Sequence, residues 1–362
     1  MRALLFALAI PVLAFHGSGV WAQDSRSLPR ATPESQGVSS EKLKEFVESL
    51  HAKVNTMHSV MVVRHGKVIA EGWWAPQTPE TRHLLWSLSK SFTSTAVGLA
   101  IAEGKLSLDD EVVKFFPDKA PEQPSKNLSQ MRLRDLLRMA TGHETEPKMP
   151  ADGDWVKAFL AHPVPFKPGT HFRYNTPATF MQSAMVQKAT GQTVLEYLKP
   201  RLFEPLGISG HEWGANPQGI TLGGYGLAAR TEDIAKFGQL YLQKGQWNGK
   251  QLVPAAWVEQ ATARQTSNGS NPLSDWDQGY GYQFWRCRHG AFRGDGAKGQ
   301  FCVVLPGQDT VVAMTADTGD MQGEINVVWD SLLKELGDKP LPENPKGAKA
   351  LAELVASLKA RK

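Results

Sequence analysis

Strand-like sequence stands near both ends of this chain and gives way to helical patterns between them, an arrangement that constrains the fold more than any other feature. Near the start, Ser59 to Trp74 holds two β-rich runs on either side of His65-Gly66-Lys67, the pattern of a hairpin. β character returns late, in Gly281–Cys287, Gln300–Leu305 and Thr310–Thr315, with the turn Pro306-Gly307-Gln308-Asp309 between the last two. Helical patterns fill the interval. Ser87–Glu103 is apolar and rich in small residues, and it stops at Gly104. Leu133–Met139 and Met181–Thr190 follow, the second stopping at Gly191, and Tyr225–Gly245 spaces Leu227, Ile234, Phe237, Leu240 and Tyr241 at helical intervals. Helices also flank the whole. Glu41–Lys53 carries Leu43, Phe46, Val47 and Leu50 on one face behind an N-cap at Ser39, and Gln322–Leu336 precedes a charged C-terminal helix.

That order predicts an α+β fold (an α/β three-layer arrangement): a mainly antiparallel sheet from both chain ends, flanked by helices, with an inserted, mainly helical lobe. The expected boundaries are a sheet lobe of 39–85 and 275–338 and a helical lobe of 86–274, together a catalytic domain over 39–338. Residues 23–38 form an extended lead-in, and 339–362 a tail and helix.

At 362 residues, 41% apolar and 21% charged, the chain has the length and composition of a globular protein with a substantial core. Met1-Arg2, the apolar run Ala3–Phe15 and the small residues of Val20-Trp21-Ala22 read as a cleavable leader over 1–22, too short to span a bilayer. The expected location is periplasmic or extracellular, with no membrane association after cleavage. Cleavage removes one arginine and no acid, so the net charge falls from +4 to +3. Lysines and arginines are spread without a basic run, which argues against nucleic acid. Cys287 and Cys302 are compatible with a disulfide and equally with two buried thiols. No set of ligands spaced for a metal is present, and no cofactor is indicated. No motif specifies the oligomeric state.

Three segments carry candidate chemistry. A serine hydroxyl is a poor nucleophile at neutral pH and needs a base. Ser-x-x-Lys on a helix supplies one, because a residue three positions on lies on the same side. The motif occurs twice. Ser39-Ser-Glu-Lys42 opens a charged amphipathic helix, where the lysine is solvated and the serine caps. Ser87-Leu-Ser-Lys90 instead lies between His83-Leu-Leu-Trp86 and Ser91-Phe-Thr-Ser-Thr-Ala-Val-Gly-Leu-Ala-Ile-Ala102. A lysine in so apolar a helix is costly unless paired or used, and desolvation lowers its pKa. The second segment is Phe172-Arg-Tyr-Asn-Thr-Pro-Ala178, where a phenol beside an ammonium has a lowered pKa and can shuttle a proton. The third is Phe292-Arg-Gly-Asp-Gly-Ala-Lys-Gly-Gln-Phe301, whose glycines let an edge strand approach a ligand and offer a backbone donor. Its Arg293-Gly294-Asp295 tripeptide falls inside a predicted sheet and is read as coincidental.

In this order the segments resemble the serine β-lactamase and penicillin-binding protein superfamily, in particular its class C β-lactamase and carboxylesterase branch. Leu136-Leu-Arg-Met-Ala-Thr-Gly142, Leu202-Phe-Glu-Pro-Leu-Gly-Ile208 and Gly226–Gly238 are similar to family segments as well, so the resemblance runs from Ser35 to Leu336. It implies a β-lactamase/transpeptidase-like fold with a cleft between sheet and helical lobe. It further implies that Ser87 is acylated, that Lys90 is its proton partner and that Tyr174 is the family's tyrosine. The family's Lys-Thr-Gly strand motif falls on Gly294-Asp295-Gly296, and Ala297 supplies the second oxyanion N–H beside that of Ser87.

Two departures bear on substrate. The lactamase Tyr-x-Asn becomes Tyr174-Asn175-Thr176, with the amide one place early, and Asp295 replaces a threonine, where its charge is expected to repel a substrate carboxylate. The expected activity is therefore carboxylesterase-like cleavage of a small ester or amide through an acyl-serine. The alternatives are a β-lactamase or D-amino-acid peptidase acting on a lactam or peptide, and, in another class, a non-catalytic binding or sensor protein on the same fold.

Overall fold

The hairpin expected at 59–74 is β1 (Met57–Arg64) and β2 (Lys67–Trp73), joined by His65 and Gly66 at φ 49° and 73°. Two consecutive left-handed residues give the turn a twist that matches the flanking strands. The computed structural model describes residues 27–359; the expected leader over 1–22 and the first residues of the lead-in lie outside the described residues. Three short strands follow within the intervening segment, β3 (His83–Leu84), β4 (Glu212–Trp213) and β5 (Leu227–Ala229), forming a sheet of order β3-β5-β4. A small hairpin, β6 (Gln246–Trp247) with β7 (Lys250–Gln251), comes next. The last strands are β8 (Trp285–Arg286), β9 (Phe292–Gly296), β10 (Gln300–Leu305) and β11 (Thr310–Ala316). The main sheet has the order β2-β1-β11-β10-β9-β8, so β1 and β11 join the two ends of the chain at its centre, and its neighbours pair antiparallel.

The helices are α1 (Ser40–Lys53), α2 (Ser89–Ala102), α3 (Val112–Phe115), α4 (Lys126–Gln130), α5 (Leu133–Leu137), α6 (Trp155–Ala161), α7 (Thr176–Thr190), α8 (Val194–Leu198), α9 (Thr231–Leu242), α10 (Ala255–Thr262), α11 (Met321–Val327) and α12 (Pro345–Leu358). None is long and apolar enough to cross a membrane among the described residues.

The central strands read as nearly unbroken apolar runs because both faces of the sheet are covered. On β10, Phe301, Val303 and Leu305 face a core shared with α1, α11 and α12, while Cys302 and Val304 face the α2 and α9 side. Alternation along the strand thus feeds two cores at once. Cys287 belongs to the first of these cores and Cys302 to the second, and both are free, buried thiols.

Three expectations are corrected by local chemistry. Of Gly281–Cys287 only Trp285–Arg286 is strand. The preceding residues turn back on themselves, with the Gly281 N–H bonded to the Phe284 carbonyl and Gln283 at φ 67°. The helical spacing from Tyr225 begins too early, since Leu227–Ala229 is β5 and α9 starts at Thr231, where Asp233 accepts the Arg230 N–H at 3.1 Å. The C-terminal helix α12 is amphipathic, not merely charged, and buries Leu351 and Leu358 against α1 and β2.

Candidate active site

α2 does not start cleanly. The chain enters through one 3₁₀ turn, Trp86–Leu88, with Trp86 at φ 48°. A bulky residue in the left-handed region stores strain of about 1–3 kcal/mol, tolerated where the surroundings over-determine it. The turn leaves Ser87 half-buried at the end of α2 and on the side of Lys90. Lys90 Nζ donates to Ser87 Oγ at 2.9 Å and to the Gly224 carbonyl at 2.7 Å, and lies 3.4 Å from Thr176 Oγ1. Lys90 is 1% exposed. Burial pulls its pKa down to about 7 against the opposing pull of Glu146 and Asp295, so an appreciable fraction is neutral at physiological pH.

Tyr174 directly precedes α7. Its ring stacks on Trp285 at 5.4 Å, Lys90 Nζ lies 5.0 Å from the ring centre, and its hydroxyl stands near Ser87. The lowered phenol pKa expected beside an ammonium is not what the environment produces. Burial, with the nearby charges of Asp295 and Glu146, pushes it above its ordinary value, and the phenol remains a proton donor.

Opposite Ser87 lies the edge of β9. The strand pairs with β10 along its whole length, but with β8 only at Phe292 and Arg293. The edge from Gly294 to Gly296 carries no β8 pairing. A Cβ on Gly296 would stand 2.1 Å from the Leu85 carbonyl oxygen, and one on Gly294 would stand 2.2 Å from Leu88 Cδ1. Glycine at these two positions is what lets the strand close on the Ser87 turn. Ala297 follows, exposed, at the start of the β9–β10 turn.

Two predicted substrate residues do something else. Asn175 is fully buried and caps α7, its Oδ1 accepting the Ala178 N–H at 3.1 Å while Nδ2 faces Thr141 and His143. Asp295 does not present a free charge to the cleft. It is ion-paired at 2.7 Å with Arg293, which is 0% exposed and enclosed by Trp276, Trp285 and Phe301. Residues two apart on a strand share a face, so the pair forms within β9 itself, and the expected repulsion of an anionic substrate is correspondingly weakened. Lys298 pairs with Asp317, with 3.2 Å between the charged groups, and its ammonium lies 6.0 Å from the ring centre of Trp86. Ser39 caps α1 and Lys42 pairs with Glu45, so the other Ser-x-x-Lys is structural.

Sequence reasoning missed Gly224, Thr176 and Glu146. A signal existed for the first, since Gly223-Gly224-Tyr225-Gly226 is a glycine cluster. A Cβ on Gly224 would lie 2.8 Å from Thr176 Cγ2 and 3.6 Å from Lys90 Nζ. Glu146 Oε1 accepts the Thr176 N–H at 2.6 Å from a loop that carries no motif.

A serine and a buried lysine thus stand in hydrogen-bond contact at a helix start, across from a glycine strand edge. The beta-lactamase family model matches residues 46–329, and the chain belongs to that family. It is 25% identical over 315 residues to a 6-aminohexanoate-dimer hydrolase of Paenarthrobacter ureafaciens, covering 80% of each chain. It is 27% identical over 163 residues to a D-aminopeptidase of Brucella anthropi, covering 41% of this chain and 31% of that one. Among solved structures, a penicillin-binding protein homologue from Caulobacter crescentus matches its fold with a TM-score of 0.67 at 17% identity, over 82% of this chain and 99% of that one.

Proposed function

We propose that this hydrolase cleaves a small, uncharged ester or amide through an acyl-Ser87 intermediate. The observation that carries the reading is the Lys90–Ser87 contact at 2.9 Å, made by a lysine whose burial brings its pKa to about 7. Neutral Lys90 takes the Ser87 proton as Oγ attacks the carbonyl carbon. The Tyr174 phenol, near Ser87, passes a proton to the leaving oxygen or nitrogen and regains one from Lys90. The backbone N–H groups of Ser87 and Ala297 hold the oxyanion, with Gly294 and Gly296 keeping the strand close. Water then attacks the acyl group and restores the serine. The sheet lobe (39–85 and 275–338) and the helical lobe (86–274) are proposed as the two walls of the cleft.

Charge supports an uncharged acyl donor. Near Ser87, Arg293 is spent on Asp295 and Lys298 on Asp317, so neither is placed to anchor a carboxylate, while the exposed Glu146 disfavours one. The relatives named as a 6-aminohexanoate-dimer hydrolase and a D-aminopeptidase make amides the second substrate set. The test is steady-state turnover of p-nitrophenyl esters, aryl amides and a chromogenic cephalosporin by wild type and Ser87→Ala. Ester turnover that vanishes in Ser87→Ala is expected, and equal rates in the two proteins would sink the assignment. Cephalosporin as the preferred substrate would make the protein a lactamase instead. The basic and apolar pattern of residues 1–22 supports export with leader removal, which N-terminal sequencing of secreted protein checks.

A further inference from the structure

The loop between α5 and α6 grips the first turn of α7 at two points. At its start, His143 Nδ1 lies 2.8 Å from the Thr141 hydroxyl and 3.3 Å from Asn175 Nδ2, with all three residues buried. Three residues on, Glu146 accepts the Thr176 N–H at 2.6 Å. Asn175 and Thr176 are consecutive, Tyr174 directly precedes them, and Thr176 Oγ1 lies 3.4 Å from Lys90 Nζ.

We propose that Glu146 is a positioning residue of this site, its carboxylate fixing the first turn of α7, and with it Tyr174 and the Thr176 hydroxyl, against Lys90; the proposal rests on the Ser87 reading above. The first N–H groups of a helix have no partner within it, and the dipole favours an anion there. On α7, Thr176 donates to Glu146, Pro177 has no N–H, and Ala178 donates to the Asn175 side chain. A carboxylate accepting a backbone N–H makes one of the stronger protein hydrogen bonds. This one joins the exposed stretch 144–146 of the loop to the segment that carries the tyrosine.

Its charge also reaches the lysine. The charged groups that act on Lys90 are Glu146 from the loop and Asp295 from β9. Tyr174 is further influenced by Arg293 and by the nearby Ser87 hydroxyl, and Tyr280, packed edge-on to Tyr174, by Asp295 and Arg293. Asp295 is ion-paired with Arg293 within β9, and Glu146 is the first of the two charged influences on Lys90. Both carboxylates raise the Lys90 pKa against burial. Without Glu146 the lysine loses its proton at lower pH.

The experiment is the pH dependence of kcat and kcat/KM for p-nitrophenyl butyrate, measured on full-length wild type, Glu146→Gln and Glu146→Asp, with Ser87→Ala as the blank and thermal melts alongside. Glu146→Gln is expected to lose about three- to tenfold in plateau kcat, the effect of releasing one charge-assisted positioning bond. Its acid limb should move to lower pH. Glu146→Asp keeps the charge and should hold the limb near that of wild type while losing part of kcat. A residue that merely holds the loop would not move the limb. An acid limb unchanged in Glu146→Gln, or abolished in it, overturns the proposal. If Glu146→Gln melts too early to assay, Glu146→Asp carries the test: a plateau kcat equal to that of wild type, or an acid limb displaced from that of wild type, overturns it as well. Wild type without Ser87-dependent turnover would instead overturn the underlying reading, and this proposal with it.

Discussion

Replacing Lys90 with methionine should make this protein more stable and nearly inactive. The side chain is 1% exposed and its pKa stands at about 7 instead of the ordinary 10.5. That difference corresponds to about 5 kcal/mol of penalty on the buried ammonium. The sign follows from proton counting. Between pH 7 and 10.5 the unfolded chain holds the Lys90 proton and the folded chain does not, so stability rises with pH across that window. The penalty is fully present below pH 7 and gone above 10.5. Methionine has similar length and no charge, so the penalty disappears. Against this, the Gly224 carbonyl loses its 2.7 Å donor inside the protein, at about 1–3 kcal/mol. The net expectation at pH 7 is a gain of about 2–4 kcal/mol. Turnover should fall by about 10²–10⁴-fold, as for loss of a positioned base. Urea unfolding of both proteins from pH 6 to 10, read by fluorescence, measures the first quantity, and p-nitrophenyl ester turnover the second. Wild type should gain stability with rising pH where the variant stays level in comparison. A variant less stable than wild type at every pH, with parallel pH profiles, would refute the desolvation argument.

Two further substitutions probe the geometry. Gly296→Ala places a methyl 2.1 Å from the Leu85 carbonyl; it should lift β9 from the Ser87 turn, costing about 1–3 kcal/mol of stability by denaturant titration and at least tenfold in turnover. Tyr174→Phe keeps the stack on Trp285 and removes the hydroxyl near Ser87, so it should lose about 10²–10³-fold in kcat with an unchanged melting curve.

Much of this architecture was legible because its signals are local. The β1–β2 hairpin is marked by a two-residue turn between apolar runs, and β10 falls on the residues the pattern indicated, Gln300–Leu305. Ser87 and Lys90 were legible for the same reason: one helical turn separates them, and an apolar helix gives a lysine few other uses. What escaped depends on contacts distant in sequence or on turn chemistry. Helical spacing from Tyr225 could not reveal that Leu227–Ala229 pairs with β3 and β4. Asn175 follows the tyrosine closely enough to suggest a ligand contact, yet the same position is the N-cap of α7, and capping won. The Arg293–Asp295 pair was in principle readable from its two-residue spacing, but only the fold shows the aromatic box that buries the arginine. Glu146 meets Thr176 across 30 residues with no motif to announce it.

The most direct measurement is intact-mass spectrometry after exposure to a fluorophosphonate, on wild type, Ser87→Ala and Ser39→Ala. A single adduct on wild type and Ser39→Ala, absent from Ser87→Ala, is the expected result and makes Ser87 the nucleophile. An adduct that survives in Ser87→Ala, or none on any of the three proteins, would contradict the assignment and bring the non-catalytic binding protein forward.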